Sequence, residues 1–140
     1  MKFTFSHKTL DEKIVRELTK FAINQVGVNH TGLRITVKNS KRTYAGTAWR
    51  ITNRIICRIH PDSERFKDYK ICNSFESQDF VIKNIYEMYL WLVSHELRHI
   101  WDFHNRRKTH EKYCNGEANR VVIAYRKSQM SKENENVNLF

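Results

Sequence analysis

The stretch Trp91-Leu92-Val93-Ser94-His95-Glu96-Leu97-Arg98-His99-Ile100-Trp101 decides how the rest of the chain is read. It sits in a segment, 78–103, that the pattern predicts as one long helix. Phe80, Val81, Ile82, Ile85, Met88, Tyr89 and Leu90 make that helix apolar on most sides, and a helix apolar all round is a buried, central one. Four residues of α-helix turn through about 400°, so His95 and His99 stand one turn apart on one face. Two imidazoles at that separation can both reach one Zn²⁺ at about 2.0–2.1 Å. Glu96 adjoins His95 but leaves the helix in another direction, toward a water on the metal and not the metal itself. That is the general-base position of metal-assisted hydrolysis. Buried polar atoms need partners; a metal ion is one solution for these histidines, and neighbouring side chains are another.

A catalytic zinc site takes a third protein ligand and leaves a position open. Downstream, Asp102, His104, His110, Glu111 and Glu117 offer donors. A continuing helix turns His104 away from His95. A last helix is predicted over 109–129, with Cys114, Ala118, Val121, Val122 and Tyr125 on its apolar face. At 100° per residue, Glu111 falls about 40° from the centre of that face and Glu117 about 80°. Direction favours Glu111. The level of a tight helical hairpin turning near residue 107 favours Glu117. Cys114 reads as a small residue packing the helix face. Arg98 points off the histidine face and is expected to pair with Asp102. His110 and Tyr113 lie near enough in sequence to stabilise an oxyanion, or are polar residues at a helix start.

Toward the N-terminus a helix is predicted over 9–26, opened by Thr9-x-x-Glu12 and closed by Gly27. Period-two alternation then marks strands at 33–38 and 51–60, with a shorter one over 42–49. Asn39-Ser40-Lys41 reads as a hairpin turn, so the expected sheet is three-stranded and mainly antiparallel. Residues 61–77 read as a surface loop. Trp49, Trp91 and Trp101 are expected in the core. The expected class is therefore α+β.

The 140 residues, 40% apolar and 12% aromatic, suffice for one core. We expect a single domain over 1–130 and a flexible polar tail over 131–140. No apolar run reaches the ~18 residues of a membrane span, and the first residues lack a secretory pattern. Three widely spaced cysteines, Cys57, Cys72 and Cys114, argue against a disulfide framework. The expected location is cytoplasmic.

The formal charge is +10, and from Leu18 to Pro61 there is no Asp or Glu. Arg50, Arg54 and Arg58 recur every fourth residue, so one strand would point them the same way, with Arg34 and Lys38 alongside. Such a face predicts weak, sequence-independent nucleic-acid binding that falls with salt.

Two motifs together carry a resemblance. Glu111-Lys112-Tyr113-Cys114-Asn115-Gly116-Glu117-Ala118 resembles Glu-x-x-[Ala/Cys]-[Asp/Asn]-x-x-Ala, the third-ligand helix of gluzincin metallopeptidases. With His95-Glu96-x-x-His99, the chain resembles a minimal gluzincin of the SprT-like, ImmA/IrrE-like and minigluzincin kind. The resemblance implies a zincin-like order: N-terminal helix, small sheet, active-site helix, third-ligand helix. It implies one Zn²⁺ per chain on His95, His99 and Glu111, with Glu96 as base in peptide hydrolysis. It also implies a peptide or protein substrate laid along the sheet edge. The connection from His99 to Glu111 is short for the group. An alternative register aligns Ala118-Asn119 with the motif; it puts Asn115 at the ligand position, where an amide would not serve, and makes Glu117 the substitute. Two other readings remain: a non-catalytic zinc-containing nucleic-acid-binding domain, and a protease recruited to nucleic acid by its basic sheet face.

Overall fold

A computed structural model describes residues 1–72 and 79–138, with the backbone alone described for 135–138. The order is β1 (Lys2–Phe5), α1 (Glu12–Val26), β2 (Arg34–Asn39), β3 (Tyr44–Trp49), β4 (Arg54–Ile59), β5 (Tyr69–Ile71), β6 (Phe80–Ile82), α2 (Ile85–His104) and α3 (Glu111–Asn138). The class is α+β, as expected.

The main sheet corrects the three-stranded, mainly antiparallel expectation. It has four strands in the order β1-β2-β4-β3. β1 pairs parallel to β2 and β2 parallel to β4, and only β3–β4 is antiparallel. The hairpin is therefore β3–β4, and Asn39-Ser40-Lys41 leads across the sheet instead of turning back. Alternation fixes which face a side chain takes, but neither the neighbour of a strand nor its direction. β1 is short, and its Phe3 and Phe5 supply the inward face. His7 secures its far end: Nδ1 accepts from the N–H groups of Thr9 and Leu10, leaving Nε2–H to donate to the Ile59 carbonyl at 2.8 Å.

Asp11 caps α1, accepting from the N–H groups of Lys13 and Ile14. Thr9 does not; its hydroxyl donates to the Pro61 carbonyl, and Glu12 pairs with Arg16. Gly27 ends the helix at φ 83°, the left-handed cap that favours glycine. α2 begins later than expected, because Phe80-Val81-Ile82 is strand β6, paired to β5. Asn84 then takes the Glu87 N–H and starts the helix. The expected start at Gln78 and the 73–77 part of the predicted loop lie outside the described residues. The rest of that loop is not irregular: it holds a 3-10 turn, Ser63–Phe66, which buries Phe66 completely, and strand β5.

α2 runs through the middle of the core. Met88, Tyr89, Leu90, Val93, Leu97 and Ile100 are all buried. α1, α3 and the strands β3 and β4 all pack against it, and α1 also touches α3. α3 continues past Gln129 into 131–138, where a tail was expected; residues 139–140 lie outside the described residues.

α3 is fastened to α2 by Arg126. Its guanidinium donates to both oxygens of the buried Glu87 carboxylate, at 2.6 and 3.0 Å, and to the Val81 carbonyl at 2.8 Å. Burial pushes the Glu87 carboxyl up, but the Arg126 bonds and the Lys83 N–H outweigh it and hold it below the usual range. A depressed carboxyl stabilises the fold above its unfolded pKa and loses that contribution as pH falls through the folded value. Arg126→Met should therefore lower stability at pH 7 by about 3 kcal/mol, since it strands a buried charge. The deficit should shrink as pH falls, because Glu87 protonates first in the variant, where burial acts unopposed, and only at lower pH in wild type. Urea titrations across pH check both signs.

Candidate metal centre

α2 delivers His95 and His99 to one side of a cleft of about 510 Å³. The opposite wall is β3, the edge strand of the sheet. Its only strand partner among the described residues is β4, and none of them pairs with its other edge. His60 N–H donates to the Thr43 carbonyl, which sets the alternation along the hairpin. Ala45, Thr47 and Trp49 then bond β4, and the backbone groups of Tyr44, Gly46 and Ala48 face that other edge. Those three residues line the cleft.

α3 brings the third side chain. Arg106, at φ 54°, and the bond from Arg107 N–H to the Asp102 carbonyl turn the chain sharply after α2. α3 then begins at Glu111, which places that residue opposite the histidines. One Glu111 oxygen lies 3.0 Å from His95 Nε2 and the other 3.0 Å from His99 Nε2. Glu117 is turned elsewhere: it bonds Arg120 at 2.8 Å and approaches Arg98 at 3.9 Å. Hairpin level thus fails as a guide, because the connection is not tight.

The histidine rings are held from behind. Trp91 stacks on His95 at 5.3 Å between centroids, and its indole N–H donates to Asn119. His99 Nδ1 lies 2.7 Å from the Thr109 hydroxyl and 3.6 Å from Cys114 Sγ. Cys114 is fully buried, so it packs the helix face as expected, but it also touches the site. His95 Nδ1 is buried with no hydrogen-bond partner among the described residues. Burial lowers the His95 pKa, favouring the neutral ring that a metal requires. Together His95, His99 and Cys114 bring one ligand-type atom each within 4.8 Å of one another, a group able to hold a metal ion.

Glu96 is 6% exposed and lines the same cleft. Burial, with the Glu111 carboxylate adding, pushes its carboxyl up to about 8. It lies against β3 at Gly46. A Cβ there would stand 2.7 Å from Glu96 Oε1 and 2.8 Å from Leu92 Cδ1, so glycine is needed for close approach.

Other expected residues fall elsewhere. His110 and Tyr113 do not line the cleft. Their rings meet each other edge to face over a separate shallow depression, and Tyr113 is 55% exposed. The start of α3 turns them outward while Glu111 turns in. Arg98 does pair with Asp102, at 2.9 Å. His104 bonds Asn53 at the surface. Arg50 belongs to the turn after β3, not to β4, and lines the cleft instead of sharing a face with Arg54 and Arg58. Trp91 is core, whereas Trp49 is 42% exposed and Trp101 lies half-buried beneath Arg98 and Arg107. Sequence reasoning missed Thr109 and the role of Gly46. A lone glycine inside a strand was the available signal for the latter.

No helix among the described residues is long and apolar enough to cross a membrane. No protein-family model, no curated protein and no solved structure matches the chain.

Proposed function

We propose that this chain is a zinc-dependent metallopeptidase of the minimal gluzincin kind, with His95, His99 and Glu111 as ligands. The observation that carries the reading is the convergence of both Nε2 atoms on the Glu111 carboxylate, with Glu96 buried alongside. Tetrahedral ligands at 2.0–2.1 Å stand about 3.3 Å apart, and 3.0 Å separations are close to that. Cys114 faces Nδ1 of His99, the nitrogen already occupied by Thr109, and so fits this set less well.

When bound, the metal supplies Lewis acidity toward water and toward a carbonyl oxygen. The chain's residues do the rest. Thr109 fixes the His99 ring through Nδ1, so that Nε2 points into the cleft. The edge at Tyr44, Gly46 and Ala48 offers N–H and C=O groups to an extended peptide. Glu96 takes a proton from the attacking water and returns it to the leaving amine. A cation held beside Glu96 would offset its burial and favour the carboxylate form that can take that proton.

The test is metal analysis of the purified protein and digestion of an unfolded polypeptide such as casein. About one zinc per chain is expected, with cleavage that a chelator stops and added zinc restores. Zinc-replete protein that leaves such substrates intact would remove the peptidase reading. The contact at Gly46 adds a finer test. Gly46→Ala should shift Glu96, the movable partner, and lower kcat/KM about 100-fold. Thermal stability should fall as well, because the buried Leu92 methyl 2.8 Å away must also shift.

A further inference from the structure

The outer face of the main sheet is a second surface that the cleft does not use. Side chains alternate across a strand, so Phe3, Ile35, Val37, Ile55, Cys57 and Ile59 turn in toward the helices. Lys2, Arg34, Lys38, Arg54 and Arg58 turn out. Four of these five are exposed and Lys38 half so. The register arranges them in two rows. Lys2, Arg34 and Arg54 stand side by side on β1, β2 and β4, and Lys38 stands beside Arg58. Neighbours in a row are about 4.8 Å apart, and the rows about 13 Å.

Like charges directly opposite each other weaken a sheet, so this grid opposes folding. Among the described residues no carboxylate relieves it, since every ion pair involves other cations. The first row ends at Trp49, which is opposite Arg54 in register and has the guanidinium 5.0 Å over its ring. An exposed aromatic beside a row of cations meets both needs of a single nucleic-acid strand, a π-face for bases and positive charge for phosphates. The face is an open sheet and projects no helix or ribbon into a duplex groove.

We propose that this face binds single-stranded nucleic acid without sequence preference, through Lys2, Arg34, Lys38, Arg54 and Arg58, with Trp49 as the stacking platform. The binding is independent of the metal centre. Five phosphate contacts predict a log–log salt slope of about −3.5 on a single strand.

The experiment titrates the full chain with a fluorescein-labelled ~16-nucleotide oligonucleotide near physiological salt and along a salt series. Three proteins are compared: wild type, an Arg34→Gln/Arg54→Gln/Arg58→Gln variant, and a charge-matched Lys13→Gln/Lys20→Gln/Lys127→Gln control on α1 and α3. The face variant should bind at least tenfold more weakly, with a salt slope flattened by about 2, and the control should stay close to wild type. Removing opposed like charges should also leave the face variant at least as heat-stable as wild type. Should it fail to fold, Trp49→Ala carries the test: it should weaken single-strand binding severalfold and leave the salt slope unchanged. Equal losses in face variant and control, or no wild-type binding near physiological salt, would overturn the proposal. So would duplex bound as tightly as single strand with no effect of Trp49→Ala, or anionic vesicles bound while the oligonucleotide is not.

Discussion

Glu96→Gln is expected to keep both metal and fold and to lose peptide hydrolysis by about a thousandfold or more. The amide has the size of the carboxyl it replaces and fits between Leu92 and Gly46. It cannot accept the proton that general-base catalysis must remove, and positioned acid–base groups are worth roughly 10²–10⁴-fold. A second readout is independent of activity. In wild type without metal, the folded carboxyl titrates near 8, well above its unfolded value. The native state therefore holds its proton more tightly, and stability falls as pH rises through that interval. Gln carries no such load. Metal-stripped Glu96→Gln should be the more stable protein at pH 8, by on the order of 4 kcal/mol, and the gap should close toward pH 5. An active variant overturns the mechanism; an unchanged stability gap across pH overturns the burial argument.

The second large effect is expected at Glu111. Glu111→Ala should lower zinc affinity more than about 100-fold, beyond the range of residues that merely support a ligand. Cys114→Ser should retain zinc within about tenfold. Glu117→Gln should retain it too and instead lose stability through Arg98 and Arg120. The opposite pattern, metal kept without Glu111 and lost without Cys114, would make the donor set two imidazoles and a thiolate. Isothermal titration of the stripped proteins separates the outcomes.

The two histidines were legible because helical spacing alone puts them on one face. Glu111 was legible as a direction on α3, whereas its height opposite the histidines depended on a six-residue turn built around Arg106. Local pattern carries no such information. For the same reason β1 and the parallel pairings escaped notice. A four-residue strand shows two alternations at most, and its partner lies across α1. The shift of Arg50 into the cleft follows from the β3–β4 turn running to Asn53, at φ 53°, which takes Arg50 out of the strand. The open basic face was legible in Arg34, Lys38, Arg54 and Arg58, which obey strict alternation, but not in Lys2, nor in Trp49, which was expected in the core.

α3 is clamped along its middle: Asn119 on Trp91, Arg120 on Gln25, Arg126 on Glu87 and Val81. Glu111, at its first turn and 57% exposed on its side chain, projects beyond those clamps. Eight residues of helix separate it from Asn119, an arm of about 12 Å. Nearer the cleft the helix is seated by the fully buried Cys114 and Ala118, three and seven residues from Glu111. The carboxylate thus overhangs its last buried anchor by one turn, about 4.5 Å. Enlarging or shrinking the side chain at 114 should accordingly shift Glu111 against the two histidines, whether or not the thiol itself meets an ion.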